Sequence, residues 1–247
     1  MNAITPKIKH RIHRPRPIKD MPDKAVKYKY AQSLANDVGQ LENEGERVFA
    51  IIDGSFIFGD FIEAFLVKTN YLCKKMVIST LSMSQENVDS LKNLVAGGYL
   101  QSLDLIVSDY FYSHERAGLV KYLYQELDVP ELDFQLSVAR THTKICLIET
   151  ECGKKFVIHG SANMRSSGNM EMFSIEHNQA LHAFNLDWHN EITDKYSTIR
   201  KTITRTEQWQ DQEVVVQAAQ KDLQNTGKPK RQSAVEPNSA KPKDFGF

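Results

Sequence analysis

Seven of the eight prolines stand at or before Pro22 or at or after Pro229, and only Pro130 lies between. Proline fixes its own φ and removes a backbone donor. A chain of 247 residues spaced this way has one long stretch free to build helices and strands, and two ends that are not. The ends also differ from the middle in charge. Residues 1–30 carry nine Lys/Arg against two Asp, and residues 221–247 carry six basic side chains against three acidic. The whole chain balances at 31 basic and 31 acidic, so residues 31–220 hold a net −10. A net charge of zero speaks against a generally basic nucleic-acid coat. Divided along the chain, it describes an acidic body between two basic ends.

The expected organisation is a basic N-terminal arm and lead-in helix over 1–43, a folded domain over 44–200 and a polar, largely disordered C-terminal tail over 201–247. The first residues are charged but lack the apolar core of a secretory signal. No apolar run reaches the ~18–20 residues of a spanning helix, so no stable membrane association is expected. Cys73, Cys146 and Cys152 are odd in number and sparse, which argues against a disulfide framework and for free thiols in the cytoplasm.

Inside the body the hydrophobic period alternates. Lys24–Asn43 reads as a helix with Ala31, Leu34, Val38 and Leu41 on one stripe. Strand patterns over Val48–Ile52, Lys75–Leu81 and Leu103–Ser108 alternate with helical ones over Phe58–Lys68, Gln85–Ala96 and Glu115–Leu127. Such alternation implies a parallel α/β arrangement. After Pro130 the pattern changes to strands over Asp133–Ala139, Thr143–Glu149, Phe156–Gly160 and Met172–Glu176, with a hairpin turn through Gly153. A closing helix over Ala180–Arg200 carries Leu181, Phe184, Trp188, Ile192 and Tyr196 at helical spacing. The expected fold class is α/β, a mixed β-sheet flanked by helices.

The chemistry-bearing stretch runs from Arg140 to Asn178. Three pairs are spaced i, i+2: His142 with Lys144, Ser161 with Asn163, and Asn169 with Glu171. Residues two apart on a strand share a face, and the hairpin brings the first two pairs together. A neutral imidazole is a competent nucleophile near pH 7. An ammonium and an amide can hold phosphoryl oxygens and offset developing negative charge. The carboxylate of Glu171 is expected to hold the imidazole tautomer from behind. The set suits phosphoryl transfer and calls for no metal and no cofactor. Taken singly, each residue has a plainer reading: a packed histidine, a surface lysine, a turn at Gly-Ser-x-Asn, a solvated carboxylate. Two more stretches belong with the site. Tyr110, Tyr112, His114 and Arg116 follow the third strand, where ligands gather in parallel sheets; the aromatics there, Tyr112 among them, could stack bases and Arg116 contact phosphate, or the stretch is a helix-capping loop around Ser113. Arg140 and Arg165 add positive charge, and residues 136–168 sum to +3.

His142-Thr143-Lys144, an acidic residue five positions on at Glu149, then Gly160-Ser161-Ala162-Asn163 and Asn169-Met170-Glu171 together resemble the signature of the phospholipase D superfamily, in its small nuclease-like branch. The resemblance covers about residues 139–196. Two features depart from the pattern. Glu149 stands where the family usually has Asp, and the spacer from Glu149 to Gly160 is longer than usual. The resemblance implies a phospholipase D-like sheet and metal-independent hydrolysis in two steps. One His attacks phosphorus to form a phosphohistidine, a second His protonates the leaving oxygen, and water releases the product. It implies Lys144, Ser161, Asn163 and Glu171 as partners of His142, with Glu149, Gly160 and Asn169 as structural residues near the site. With one motif copy in the chain, it implies a homodimer that shares one site.

Three functions remain open on the sequence. A nuclease acting on DNA or RNA fits the basic ends and the local positive charge, because counterion release needs a stripe and not a global excess. A phospholipid phosphodiesterase would use the same chemistry but needs an apolar entry. A non-catalytic nucleic-acid-binding or assembly module would use the arms for docking.

Overall fold

Among the described residues seven strands pair into one mixed sheet. The computed structural model describes residues 24–53, 56–165 and 169–199. The expected basic arm over 1–23 and the expected disordered tail over 201–247 lie outside the described residues. Helix α1 (Lys24–Val38) ends at Gly39, whose φ is +70°, and places Ala31, Leu34, Val38 and, past the helix, Leu41 in the core. Strand β1 (Arg47–Asp53) leads through α2 (Phe58–Thr69) to β2 (Cys73–Thr80), and α3 (Gln85–Ala96) then crosses to β3 (Ser102–Ser108).

The stretch after β3 departs from the expected helix over Glu115–Leu127. It forms two helices, α4 (Asp109–His114) and α5 (Leu119–Leu127). The hydroxyl of Ser108, not Ser113, caps the first of them by accepting from Phe111 N–H at 3.0 Å. The second starts four residues later than expected, after a turn that ends at Gly118. Strands β2 and β3 run parallel, as the alternation predicts, and β4 (Asp133–Ala139), read from the changed pattern after Pro130, also lies parallel to β3.

The second half is antiparallel. Strand β5 (Ile145–Thr150) pairs with β2 on one side and with β6 (Lys155–Gly160) on the other. Strand β7 (Met170–His177) lies between β6 and β1. Helix α6 (Gln179–Tyr196) closes the domain.

Alternate residues face opposite sides of the sheet. On one side α2 packs Phe58, Phe61 and Phe65 against Phe173 of β7 and Phe156 of β6, with ring centroids 5.0–5.3 Å apart. On the other side Val77, Leu147 and Val157 meet Leu181 and Leu186 of α6. The expected stripe on α6 is not the buried one. Phe184 is 69% exposed and Tyr196 41%, whereas His182, Asn185 and His189 are buried. Positions 182, 185 and 189 fall on one helical face, so α6 turns a polar stripe inward and leaves Phe184 outside.

Candidate active site

Strands β5 and β7 run against the other five. Their first residues therefore meet the last residues of β2, β3, β4 and β6 at one end of the sheet. Every residue of the three pairs lies at that end. His142 and Lys144 lead into β5, Ser161 and Asn163 leave β6, and Asn169 and Glu171 enter β7. These three strands are neighbours, so the spacing read from the sequence becomes one surface.

The lead-in Arg140–Lys144 alternates like a strand. Thr141 and Thr143 turn to β2, where the buried Ser79 hydroxyl lies 2.5 Å from Thr143 Oγ1 and 3.3 Å from Thr141 Oγ1. The two threonine hydroxyls are 2.7 Å apart. This three-hydroxyl cluster anchors the segment, and His142 and Lys144 project from its other side. His142 is exposed, and its Nδ1 is 3.2 Å from Lys144 Nζ; the same ammonium donates to the His142 carbonyl at 3.1 Å. Burial pulls the Lys144 pKa below the usual lysine range, while the nearby charge of Glu171 pushes it back up. Lys144 thus sits between imidazole and carboxylate. The geometry of the imidazole differs from the expectation that Glu171 backs it, because Lys144 is the group that meets Nδ1.

Glu171 works through Ser161. The Ser161 hydroxyl donates to Glu171 Oε2 at 2.5 Å and accepts from Met172 N–H at 3.0 Å, and its own N–H donates to Met172 O at 2.9 Å. Ser161 therefore staples the end of β6 to the start of β7. Gly160 makes that staple possible. A Cβ on it would stand 2.1 Å from Met172 O and 2.6 Å from Phe173 Cα, far inside any allowed contact. On its other side Gly160 N–H donates to Lys144 O at 3.3 Å. Asn163 is half-buried between Ala162 and Met164, and Met164 is clamped to β2 through Thr80 Oγ1 and to Ser84 N–H through its carbonyl. Its Oδ1 is buried with no hydrogen-bond partner among the described residues. Unmet buried polar atoms are rare in folded chains, and a half-turn of this amide would offer N–H donors to a ligand instead. A cleft beside these residues is lined by Phe58, Ile78, Lys144, Gly160, Ala162 and Phe173.

The remaining expected residues divide. Arg140 is exposed at the end of β4, Arg165 is exposed beyond the Asn163 turn, and Asn169 is exposed at the entry to β7. Tyr112 does not reach substrate: it is fully buried, and burial raises its phenol pKa. The positive charge of Arg116 lies close enough to Tyr112 to lower that pKa in part, so this arginine is half-buried beside a core ring. Glu149 is not near the site either. It stands at the far end of β5, five residues or about 16 Å from Lys144, and faces Lys74 at 3.7 Å and Lys155 at 3.9 Å. The sequence reading missed Ser79, Thr141 and Thr143. Hydroxyls at 141 and 143, alternating with His142 and Lys144, were the available signal.

Among the described residues no group of three or more His, Cys, Asp or Glu side chains is placed to hold a metal ion. Among the same residues no helix is long and apolar enough to cross a membrane.

No protein-family model matches the chain, and no curated protein matches it. Solved structures do. The chain is similar to Nuc, a phospholipase D family member from Salmonella typhimurium, at 12% identity and a TM-score of 0.44, over 61% of this chain and 97% of that one. NucT from Helicobacter pylori is similar at 10% identity and a TM-score of 0.42, over 61% of this chain and 98% of that one. Phosphatidylserine synthase from Haemophilus influenzae is similar at 14% identity and a TM-score of 0.41; the match spans 72% of this chain but 46% of that protein.

Proposed function

We propose that the chain is a phospholipase D-like phosphodiesterase that cleaves DNA or RNA without a metal, through a phosphohistidine on His142. The observation that carries this reading is the convergence of His142, Lys144, Ser161, Asn163 and Glu171 at one end of three adjacent strands. In the first step an imidazole nitrogen of His142 attacks phosphorus. A nitrogen–phosphorus bond forms, the bond to the leaving oxygen breaks, and that oxygen takes a proton from a second imidazole. In the second step water attacks phosphorus, gives its proton to the second imidazole and frees His142. Lys144 and Asn163 hold the non-bridging oxygens, where negative charge grows. Glu171 positions Ser161 and keeps Lys144 charged. The second imidazole is His142 of the partner subunit in a two-fold dimer. Arg140 and Arg165 guide the nucleic-acid backbone.

The test incubates the protein with labelled single- and double-stranded DNA and RNA in EDTA, beside His142→Ala. Cleavage in EDTA that the variant loses, by a protein of dimeric mass in light scattering, is the expected result. Cleavage that requires magnesium contradicts the mechanism. A strict monomer contradicts the shared site, and binding without cleavage favours a non-catalytic module.

A further inference from the structure

Tyr110 is 65% exposed on α4, two residues past the end of β3. Its ring is paired with that of His114, at 3.9 Å between centroids and 32° between planes. His114 Nδ1 lies 2.8 Å from the Tyr110 carbonyl, and Tyr110 N–H donates to Asp109 Oδ1 at 2.8 Å. The phenol is thus held in place through its backbone and through one ring face, and its remaining surface is open to water. A single exposed aromatic is ordinary; its position is what distinguishes this one. Ser108 of β3 is in register with Ala139 of β4, so Tyr110 and the exposed Arg140 both follow strands that end at the end of the sheet that bears His142. Only β2 separates β3 from β5, a lateral distance of about 10 Å. That is the reach of one or two nucleotides from the reacting phosphate. The phosphodiester chemistry itself uses neither ring.

We propose that Tyr110, backed by His114, is a base-stacking subsite that makes single-stranded nucleic acid the substrate, with Arg140 holding the phosphate between the stacked base and His142. This rests on the proposed cleavage of nucleic acid. Every base has a π-face, so a stacking platform tolerates sequence. In a duplex that face is already covered by its neighbours, so the platform selects unpaired strands.

The test compares wild type, Tyr110→Ala and Tyr110→Phe on a single-stranded oligonucleotide with one scissile position, and on the same strand with abasic sites flanking it. Stacking is worth about 1–3 kcal/mol per base, so wild type should prefer the complete strand by roughly 5- to 150-fold in kcat/KM. Tyr110→Ala should erase that preference and Tyr110→Phe keep it. An unchanged preference in Tyr110→Ala overturns the subsite, as does a wild type that cleaves both strands equally. If wild type cleaves nothing, the nuclease reading fails by itself. Fluorescence anisotropy with the two strands then decides the subsite: base-dependent binding that Tyr110→Ala loses supports it, and equal binding overturns it.

Discussion

The two buried histidines of α6 make stability depend on pH in a way that can be worked out. His182 is 2% exposed and His189 0%. Burial drives both imidazole pKa values down to about 4; the charge of Lys155 adds to this at His182, and Glu149 opposes it. At His189 the Asn185 carbonyl, 2.6 Å from Nδ1, and the charge of Asp104 oppose it. Unfolded, both rings titrate near ~6.5. Between the two values the unfolded chain binds more protons than the folded one, so stability falls as pH falls. Above pH ~6.5 the cost is absent. By pH ~5 each ring costs about 2 kcal/mol, and by pH ~4 about 3 kcal/mol, at 1.36 kcal/mol per unit. Two rings cost about 4 kcal/mol at pH 5, a large share of the ~5–15 kcal/mol that holds a domain together. Urea titrations at pH 7.5 and 5.0, followed by circular dichroism, should show the midpoint falling by about 2 M for a slope near ~2 kcal/mol/M. The double variant His182→Leu/His189→Leu should lose most of this difference, whatever its stability at pH 7.5. A variant with the full wild-type difference, or a wild type with equal midpoints at both pH values, would refute the reasoning.

Gly160→Ala should cost about 3 kcal/mol, the upper end of the ordinary overpacking range, because its methyl meets the backbone of β7 and not a yielding side chain. Thermal unfolding checks the loss, and cleavage should vanish with it as Ser161 is pushed from Met172. Ser79→Ala removes the hydroxyl that ties Thr141 and Thr143 to β2. It should lower kcat on nucleic acid roughly ten- to a hundredfold through misplaced His142, with KM nearly unchanged; a normal kcat would show that the cluster does not position the imidazole.

The clustering of the candidate site was legible in the sequence because it depends on spacing. The i, i+2 pairs on predicted strands needed only the hairpin to bring them together, and β4 and β6 fall within a residue of the expected bounds. What was not legible depends on which side of an element turns inward. Tyr112 and Tyr110 are two apart on one short helix, and packing against β3 and β4 buries one and exposes the other. On α6 the apolar period suggested a face through Phe184, yet the sheet accepted His182 and His189. Glu149 looked near the site in sequence, but a strand carries five residues about 16 Å away. The hydroxyl cluster was hidden because Ser79 lies more than sixty residues from its partners.

Strand β1 has a consequence for synthesis. It is an edge strand whose pairing partner, β7, is made more than a hundred residues later. At ~5–20 residues per second, a ribosome needs roughly 6–23 s to reach Met170 after Asp53. Through that interval the apolar ribbon Val48–Ile52 has an open ladder on both sides, the condition in which nascent chains associate. Ser161 has no Glu171 to hold until the same moment. This order of synthesis brings the three i, i+2 pairs of the candidate site together only when nearly the whole described body has been made.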